Sequence, residues 1–250
     1  RREMPGRRDR AFDARQFSSI YPEGVERHYW NVCRNKVIHD TVRHLGKVGP
    51  LLEVGCGKGL VVAFLRSHGY DVRGVELANT SPLPGLEPYV DTGCSALDLD
   101  PSMREQVRTI LLLDVIEHIE DPVAFLRQLR NGFPALVNLV ITVPARQELF
   151  SNFDEFNGHY RRYDRPGLKA QIEAAGARIM RSSYFFHALY PAARAQLRLS
   201  NKRSIEFHVP SKGLYSVLHN AIGSCLYMEY KCLPGNWPGS SIIAHARFSP

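Results

Sequence analysis

The stretch Leu51–Leu60, "LLEVGCGKGL", constrains the fold of this chain more than any other part of the sequence. Its apolar beginning is typical of a buried strand, three glycines follow, and a helical segment then runs to a predicted end at Gly69. Glycine suits such a junction because the turn can require a positive φ and because backbone without a Cβ lets a ligand approach. Amides at the start of the helix then face that ligand. The stretch predicts a ligand-binding turn or, alternatively, a tight turn without a ligand.

Two nucleotide-binding motifs do not fit this stretch. A P-loop requires G-x-x-x-x-G-K-[ST], but Lys58 is followed by glycine at the wrong spacing. A dinucleotide fingerprint requires G-x-G-x-x-G, and Leu60 stands where its last glycine belongs. What remains is an acidic residue two positions before G-x-G-x-G.

Apolar strands and amphipathic helices alternate along the rest of the chain. Strands are predicted at 49–55, 71–77, 88–91, 107–115, 135–143, 177–187 and 241–248. Helices are predicted at 27–46, 60–68, 120–132 and 165–176. This alternation predicts an α/β fold: a Rossmann-like, doubly wound and mostly parallel seven-stranded sheet with helices on both faces.

Three acidic residues lie at or near the ends of predicted strands. Glu53 precedes the glycines, Glu76 ends the second strand and Asp114 ends the fourth. In a doubly wound sheet the second-strand acid can accept hydrogen bonds from ribose hydroxyls, and the ligand crevice opens where the strand order reverses. An isolated acid at a strand end is usually a cap or a solvated residue. Acids and glycines together at successive strand ends indicate a ligand site.

These residues resemble a known family. The segments "LLEVGCGKG", "GVEL", "LLLDVIEHIEDP" and "VITVP" are similar to those of class I S-adenosylmethionine-dependent methyltransferases, within the small-molecule group of types 11 and 23. The resemblance runs from about Tyr21 to Gly176. It implies S-adenosyl-L-methionine as cofactor and S-adenosyl-L-homocysteine as product.

The resemblance also implies a cofactor site. Its residues are Glu53, Gly55, Cys56, Gly57, Gly59, Glu76, Leu77, Asp114 and Val115. The glycines let the backbone approach the methionyl part, Glu53 organises the loop and the ammonium group, and Glu76 holds the ribose. Asp114 and Val115 line the crevice near the methyl group of the cofactor. Cys94 stands where the family often has an adenine-binding acid, and Asp98 or the backbone near Ala96 is the expected substitute.

Methyl transfer from an activated sulfonium is a direct displacement, so the protein mainly aligns the reacting atoms. A hydroxyl acceptor gains from a general base, and His118 and His159 are the predicted catalytic residues. For His118 a structural role at an element boundary is an equally strong alternative. Glu117 and the two histidines could form a metal site, but a second local carboxylate-histidine set is missing. The sequence therefore predicts no metal site.

The segment 145–165 after the fifth strand is predicted to be a lid or acceptor wall, because such loops carry specificity in these folds. The predicted substrate residues in it are Phe153, Phe156, His159 and Tyr160. The alternative is an ordered loop held by ion pairs among Asp154, Glu155, Arg161 and Arg162.

The predicted organisation is an N-terminal arm over 1–26 and a single methyltransferase domain over 27–250, with a helical insertion over 188–240. The apolar helix of this insertion is expected to pack in the core rather than on a membrane or a second copy. The predicted function is methyl transfer to a small-molecule acceptor, with a hydroxyl oxygen favoured. The alternatives are an RNA or protein methyltransferase and a non-catalytic cofactor-binding scaffold.

Charge, apolar runs and cysteine content limit the partners and the location that can be expected for this chain. The net charge is +7, but no dense basic stripe with interleaved aromatic residues occurs, which disfavours a nucleic-acid substrate. No apolar run reaches transmembrane length, so a weak membrane-surface contact is the most that is expected. Five cysteines without C-x-x-C spacing predict free thiols and a cytoplasmic location. Oligomeric state is left open.

Overall fold

A computed structural model describes residues 14–46, 49–200, 202–205 and 209–249. The strands are β1 Leu51–Val54, β2 Val72–Glu76, β3 Val90–Thr92, β4 Thr109–Leu113, β5 Asn138–Pro144, β6 Ala177–Phe185 and β7 Ser241–Phe248. The helices are α1 Ala14–Ile20, α2 Tyr29–Arg43, α3 Leu60–Ser67, α4 Pro101–Arg104, α5 Pro122–Gly132, α6 Asn152–Asn157, α7 Arg165–Ala174, α8 Leu189–Ser200 and α9 Leu214–Cys232.

The strands form a seven-stranded sheet in the order β3-β2-β1-β4-β5-β7-β6. Strand β7 is antiparallel to β5 and β6, and the pairs among the first five strands are parallel. This arrangement confirms the predicted Rossmann-like, mostly parallel sheet. The chain runs outward from β1 in one direction to β3 and then returns to β4 on the other side of β1. A crevice is therefore expected at the carboxyl ends of β1 and β4.

Helices cover both faces of the sheet because the central strands are apolar on both sides. In β4, Ile110 and Leu112 belong to the core layer that contains α5 and α7. Leu111 and Leu113 belong to the layer that contains α2, α3 and α9. Successive side chains of a strand point to opposite faces, so one uninterrupted apolar run supplies both layers.

Polar caps set the helix starts that the sequence predicts. Asp121 caps α5 by accepting a hydrogen bond from the amide of Ala124 at 3.0 Å, and proline occupies the first turn. Asp164 caps α7 in the same way through the amide of Gly167 at 2.8 Å. Each bond satisfies an amide that has no partner within its helix.

The N-terminal segment and the insertion both contain helices. Residues 1–13 of the predicted arm lie outside the described residues, whereas 14–20 form α1, in which Phe17 is buried. The insertion contains α8 and α9. The second half of α9 buries Leu226 and Tyr230 in the core layer of α2, while Leu214 and Tyr215 in its first half are exposed. Within the described ranges, none of the helices has the length and apolar character needed to cross a membrane.

Candidate cofactor-binding and active site

A cavity of about 600 Å³ lies at the carboxyl ends of β1, β2 and β4, within the size range of small-molecule sites. The predicted residues that line it are Glu53, Gly55, Cys56, Gly57, Glu76, Asp114, Glu117, His118, Phe153 and His159. The strand-end acids and the histidines therefore share one cavity. Segments from α1, α2, α6 and α8 complete its walls.

Glu76 organises the glycine loop. One carboxylate oxygen accepts a hydrogen bond from the amide of Gly57 at 2.9 Å, and the other accepts one from the amide of Ala78 at 2.9 Å. Each carboxylate oxygen has a second lone pair, so both can still accept a hydrogen bond from a ligand hydroxyl. The geometry is thus compatible with the predicted ribose contact.

Gly57 needs to be glycine for two reasons. Its φ of +57° lies in the left-handed region, and a Cβ at this position would collide with the hydroxyl of Tyr21. Tyr21 follows α1 and covers the loop. Its side chain is half-buried, and desolvation of the phenol together with the nearby charge of Glu53 raises its pKa. The N-terminal segment therefore contributes a wall of the cavity.

Arg34 is a site residue that no sequence motif indicates. It projects from α2, is buried, and contacts one carboxylate oxygen of Asp114 through Nη2 at 2.6 Å and Nε at 2.8 Å. Its guanidinium also lies 5.1 Å from the centre of the Trp30 ring. Asp114 has a φ of +59°, an unusual value for a non-glycine residue. Such backbone conformations cluster at functional sites.

Several carboxyl groups lie together at the glycine loop. Burial raises the pKa of Glu53 to about 8; the charge of Arg34 opposes this, and Glu76 and Asp114 reinforce it. One arginine thus faces three carboxyl groups. A ligand that carries a positive ammonium and a positive sulfonium complements such a cavity.

His118 and His159 lie together on another part of the wall, with ring centres 4.6 Å apart. Burial, and then the nearby His159, lower the pKa of His118 to about 3, so its ring is neutral at physiological pH. His159 donates from Nδ1 to Asp154 at 2.8 Å, and this leaves its Nε2 as an acceptor.

Asp154 is fully buried and fixes His159 in place. Its carboxylate also accepts hydrogen bonds from Nε of Arg162 at 2.8 Å and from the amide of Ser151 at 2.9 Å. Burial alone would raise the pKa of Asp154, but the hydrogen bond from His159 and the charge of Arg162 hold that pKa below its usual value.

The model of a methyltransferase domain family matches residues 26–182, which is more than half of the chain. The chain belongs to this family of class I S-adenosylmethionine-dependent methyltransferases.

Individual relatives are more distant. The chain is 30% identical over 109 residues to a ubiquinone biosynthesis O-methyltransferase of Marinobacter nauticus, and the match covers 40% of this chain and 45% of that relative. Among solved structures, the methyltransferase fold is similar to the 1,6-didemethyltoxoflavin-N1-methyltransferase of Burkholderia thailandensis, with a TM-score of 0.56 and 16% identity over 94% of this chain and 87% of that one. The magnesium protoporphyrin IX methyltransferase of Synechocystis PCC 6803 gives a TM-score of 0.54 at 14% identity, covering 94% and 93% of the two chains.

Three residues that the resemblance assigns to the methyltransferase cofactor lie outside the described lining of the cavity. Gly59 has a φ of +84° and begins α3, so it shapes the loop. Val115 packs against Gly55. Leu77 follows β2 and is 51% exposed.

In the region expected to hold the adenine, the carboxylate of Asp98 already has a hydrogen-bond partner within the protein. Asp98 accepts a hydrogen bond from the amide of Ser95 at 3.2 Å and closes a short helical turn. Cys94 is half-buried.

The lid-like segment 145–165 contains α6. This helix places Phe153 and Asn157, four residues apart, on the cavity. Phe156 and Tyr160, both predicted substrate residues, lie outside the described lining, and their rings contact the arginines Arg15 and Arg161.

Of the ion pairs expected in the lid-like segment, the structure forms the one between Asp154 and Arg162. Arg161 instead donates to the carbonyl of Glu120 at 2.9 Å. Glu155 is exposed.

Proposed function

We propose that this methyltransferase transfers the methyl group of S-adenosylmethionine to a hydroxyl oxygen of a small-molecule acceptor. The observation that carries the proposal is the position of the histidine pair. His118 and His159 line the same cavity as the glycine loop and its acids, and Asp154 orients His159. The name of the Marinobacter relative, an O-methyltransferase, supports oxygen as the acceptor atom.

In the proposed reaction, the cofactor's methionyl part lies along the glycine loop. Glu53 and Asp114 favour its positive charges, and Glu76 holds the ribose hydroxyls. The acceptor oxygen attacks the methyl carbon as the carbon–sulfur bond breaks, and S-adenosylhomocysteine leaves. A ring nitrogen of the histidine pair takes the hydroxyl proton.

A small acceptor fits the enclosure of the site. Phe17 from α1, Phe153 from α6 and Ala193 from α8 all line the cavity, so its walls come from segments outside the central sheet. The first half of α9 exposes apolar residues, and we include a weak contact of this surface with a membrane in the proposal.

All five cysteines are free. Unpaired thiols are usual in reducing compartments, which supports a cytoplasmic location.

A screen of hydroxylated small molecules with methyl-deuterated cofactor tests the function. We expect a labelled product whose fragmentation places the methyl group on oxygen. Transfer to a nitrogen-containing or macromolecular acceptor alone would contradict the proposal. Cofactor binding without transfer to any acceptor class would favour the scaffold alternative.

A further inference from the structure

We propose that Glu117, His118 and His159 bind one divalent metal ion in the wall of the cavity. One ligand atom from each of these residues lies within 4.8 Å of the ligand atoms of the other two. Such a spacing lets a single ion reach all three atoms after small side-chain adjustments. The three residues come from two segments, the 3₁₀ turn Ile116–His118 after β4 and the segment that follows α6.

Glu117 is the residue that points most directly to a cation. Its side chain is fully buried, and neither carboxylate oxygen has a hydrogen-bond partner among the described residues. Its backbone carbonyl accepts a hydrogen bond from the amide of Tyr160 at 2.8 Å, so the main chain holds the residue in place. A buried carboxylate without a partner is costly, and a bound cation would satisfy both its charge and its lone pairs.

The histidine nitrogens are prepared for coordination. His159 bonds through Nδ1 to Asp154, and this leaves the lone pair of Nε2 available. A carboxylate behind a ligating imidazole is the usual outer partner in metal sites, where it fixes the ring orientation and raises ligand basicity. Asp154 is itself held by Arg162.

His118 presents its ring against that of His159. Its ring also interacts with the backbone of Asn157 and Asp114. A neutral imidazole carries one N–H, so only one of its nitrogens can donate to these carbonyls, and the lone pair of the other nitrogen would bind the ion in the proposed site.

The donor set indicates the class of ion. Two imidazole nitrogens and one carboxylate oxygen suit Zn²⁺, Mn²⁺ or Fe²⁺, whereas Mg²⁺ and Ca²⁺ prefer oxygen ligands. Three protein ligands leave a coordination position open, as in catalytic rather than structural zinc sites. All three residues line the cavity, so the open position faces the space where the acceptor is proposed to bind.

The purpose of the ion rests on the proposed function. Bound to the metal, the acceptor hydroxyl has a lowered pKa and is held near the cofactor. With the ion bound, the two histidines are its ligands and no longer the base of the metal-free reaction, so the proton that the oxygen loses passes to solvent. The binding of the ion itself does not depend on the identity of the acceptor.

Metal binding is tested directly, without an acceptor. The protein is treated with a chelator, dialysed, and titrated with Co²⁺ by visible absorption and with Zn²⁺ by calorimetry. The exposed thiols of Cys225 and Cys232 are changed to serine in every sample because thiolates bind zinc. The variants are Glu117→Gln, His118→Ala and His159→Ala.

His68→Ala is the matched control. The rings of His39 and His68 are 4.5 Å apart, a spacing close to that of the proposed site, but within the described residues no carboxylate joins them in a metal-binding group. Each variant is also titrated with S-adenosylhomocysteine to show that it is folded. Glu117→Gln preserves side-chain shape and serves as the decisive variant if either alanine variant fails that check.

We expect one equivalent of Co²⁺ or Zn²⁺ to bind, a weakening of about 100-fold or more in each cluster variant, and unchanged binding in His68→Ala. Absence of metal binding, or equal binding by Glu117→Gln, would overturn the metal site while leaving the cofactor titration intact. Failure of the wild-type protein to bind S-adenosylhomocysteine would instead count against the proposed function.

Discussion

Glu53 links cofactor binding to pH. Its pKa of about 8 in the free protein means that it is protonated at neutral pH. A cofactor ammonium beside it favours the charged carboxylate and lowers that pKa, so binding releases a proton. If the bound pKa falls well below 6, the affinity for S-adenosylhomocysteine rises about 50-fold between pH 6 and pH 8.

Titration calorimetry measures this linkage. Runs at pH 7 in buffers with different ionisation enthalpies should reveal the release of about 0.9 proton per cofactor bound. The control is Glu53→Gln, which keeps the shape of the side chain but cannot titrate, and it should show neither the proton release nor the pH dependence. A wild-type affinity that stays flat from pH 6 to pH 8 would refute the reasoning. Unchanged pH dependence in Glu53→Gln would assign the linkage to another group.

Three further predictions concern single residues. Because the folded pKa of Glu53 lies above its ordinary value of 4.5, the stabilising contribution of Glu53 is present below pH 4.5 and is lost as the pH rises through about 8. Thermal unfolding of the cofactor-free wild-type protein should show this loss of stability, and thermal unfolding of Glu53→Gln should not. Gly57→Ala should weaken cofactor binding and lower stability more than Gly69→Ala, since both glycines have positive φ but a Cβ at position 69 meets no atom within 4 Å. Equal losses of stability by chemical denaturation would show that the cost comes from the backbone conformation and not from the contact of the Cβ. Asp154→Asn should lower kcat by a factor on the order of 10²–10⁴ through misorientation of His159, with cofactor affinity unchanged by calorimetry; an unchanged kcat would remove His159 from the mechanism.

The sequence predicted the sheet and the glycine loop because each rests on local rules. An apolar run such as that of β4 can only be satisfied between two layers, and glycines at 55, 57 and 59 all adopt positive φ. The strand-end acids follow from the sheet topology, since parallel strands bring their carboxyl ends to one edge. Glu53, Glu76 and Asp114 accordingly line one cavity.

The walls of the cavity were not predictable in the same way. A single arginine such as Arg34 within a helix carries no motif, and only the packing of α2 brings it to Asp114. The sequence of 145–165 predicts a lid or an ordered loop but no helix, so the helical spacing that places Phe153 but not Phe156 on the cavity is not evident from it. The contact of Tyr21 with the glycine loop depends on a segment far away in sequence.

Binding of S-adenosylhomocysteine to wild type and to Glu76→Ala tests the central claim most directly, namely that the strand-end acids hold the cofactor. Glu87→Ala is the matched control, because it removes the same charge from an exposed position. The account predicts one equivalent bound by wild type, an affinity lower by about 10-fold or more in Glu76→Ala from the loss of charge-assisted hydrogen bonds, and no change in Glu87→Ala. A folded wild-type protein that binds no cofactor, or a Glu76→Ala variant that binds as tightly as wild type, would contradict it.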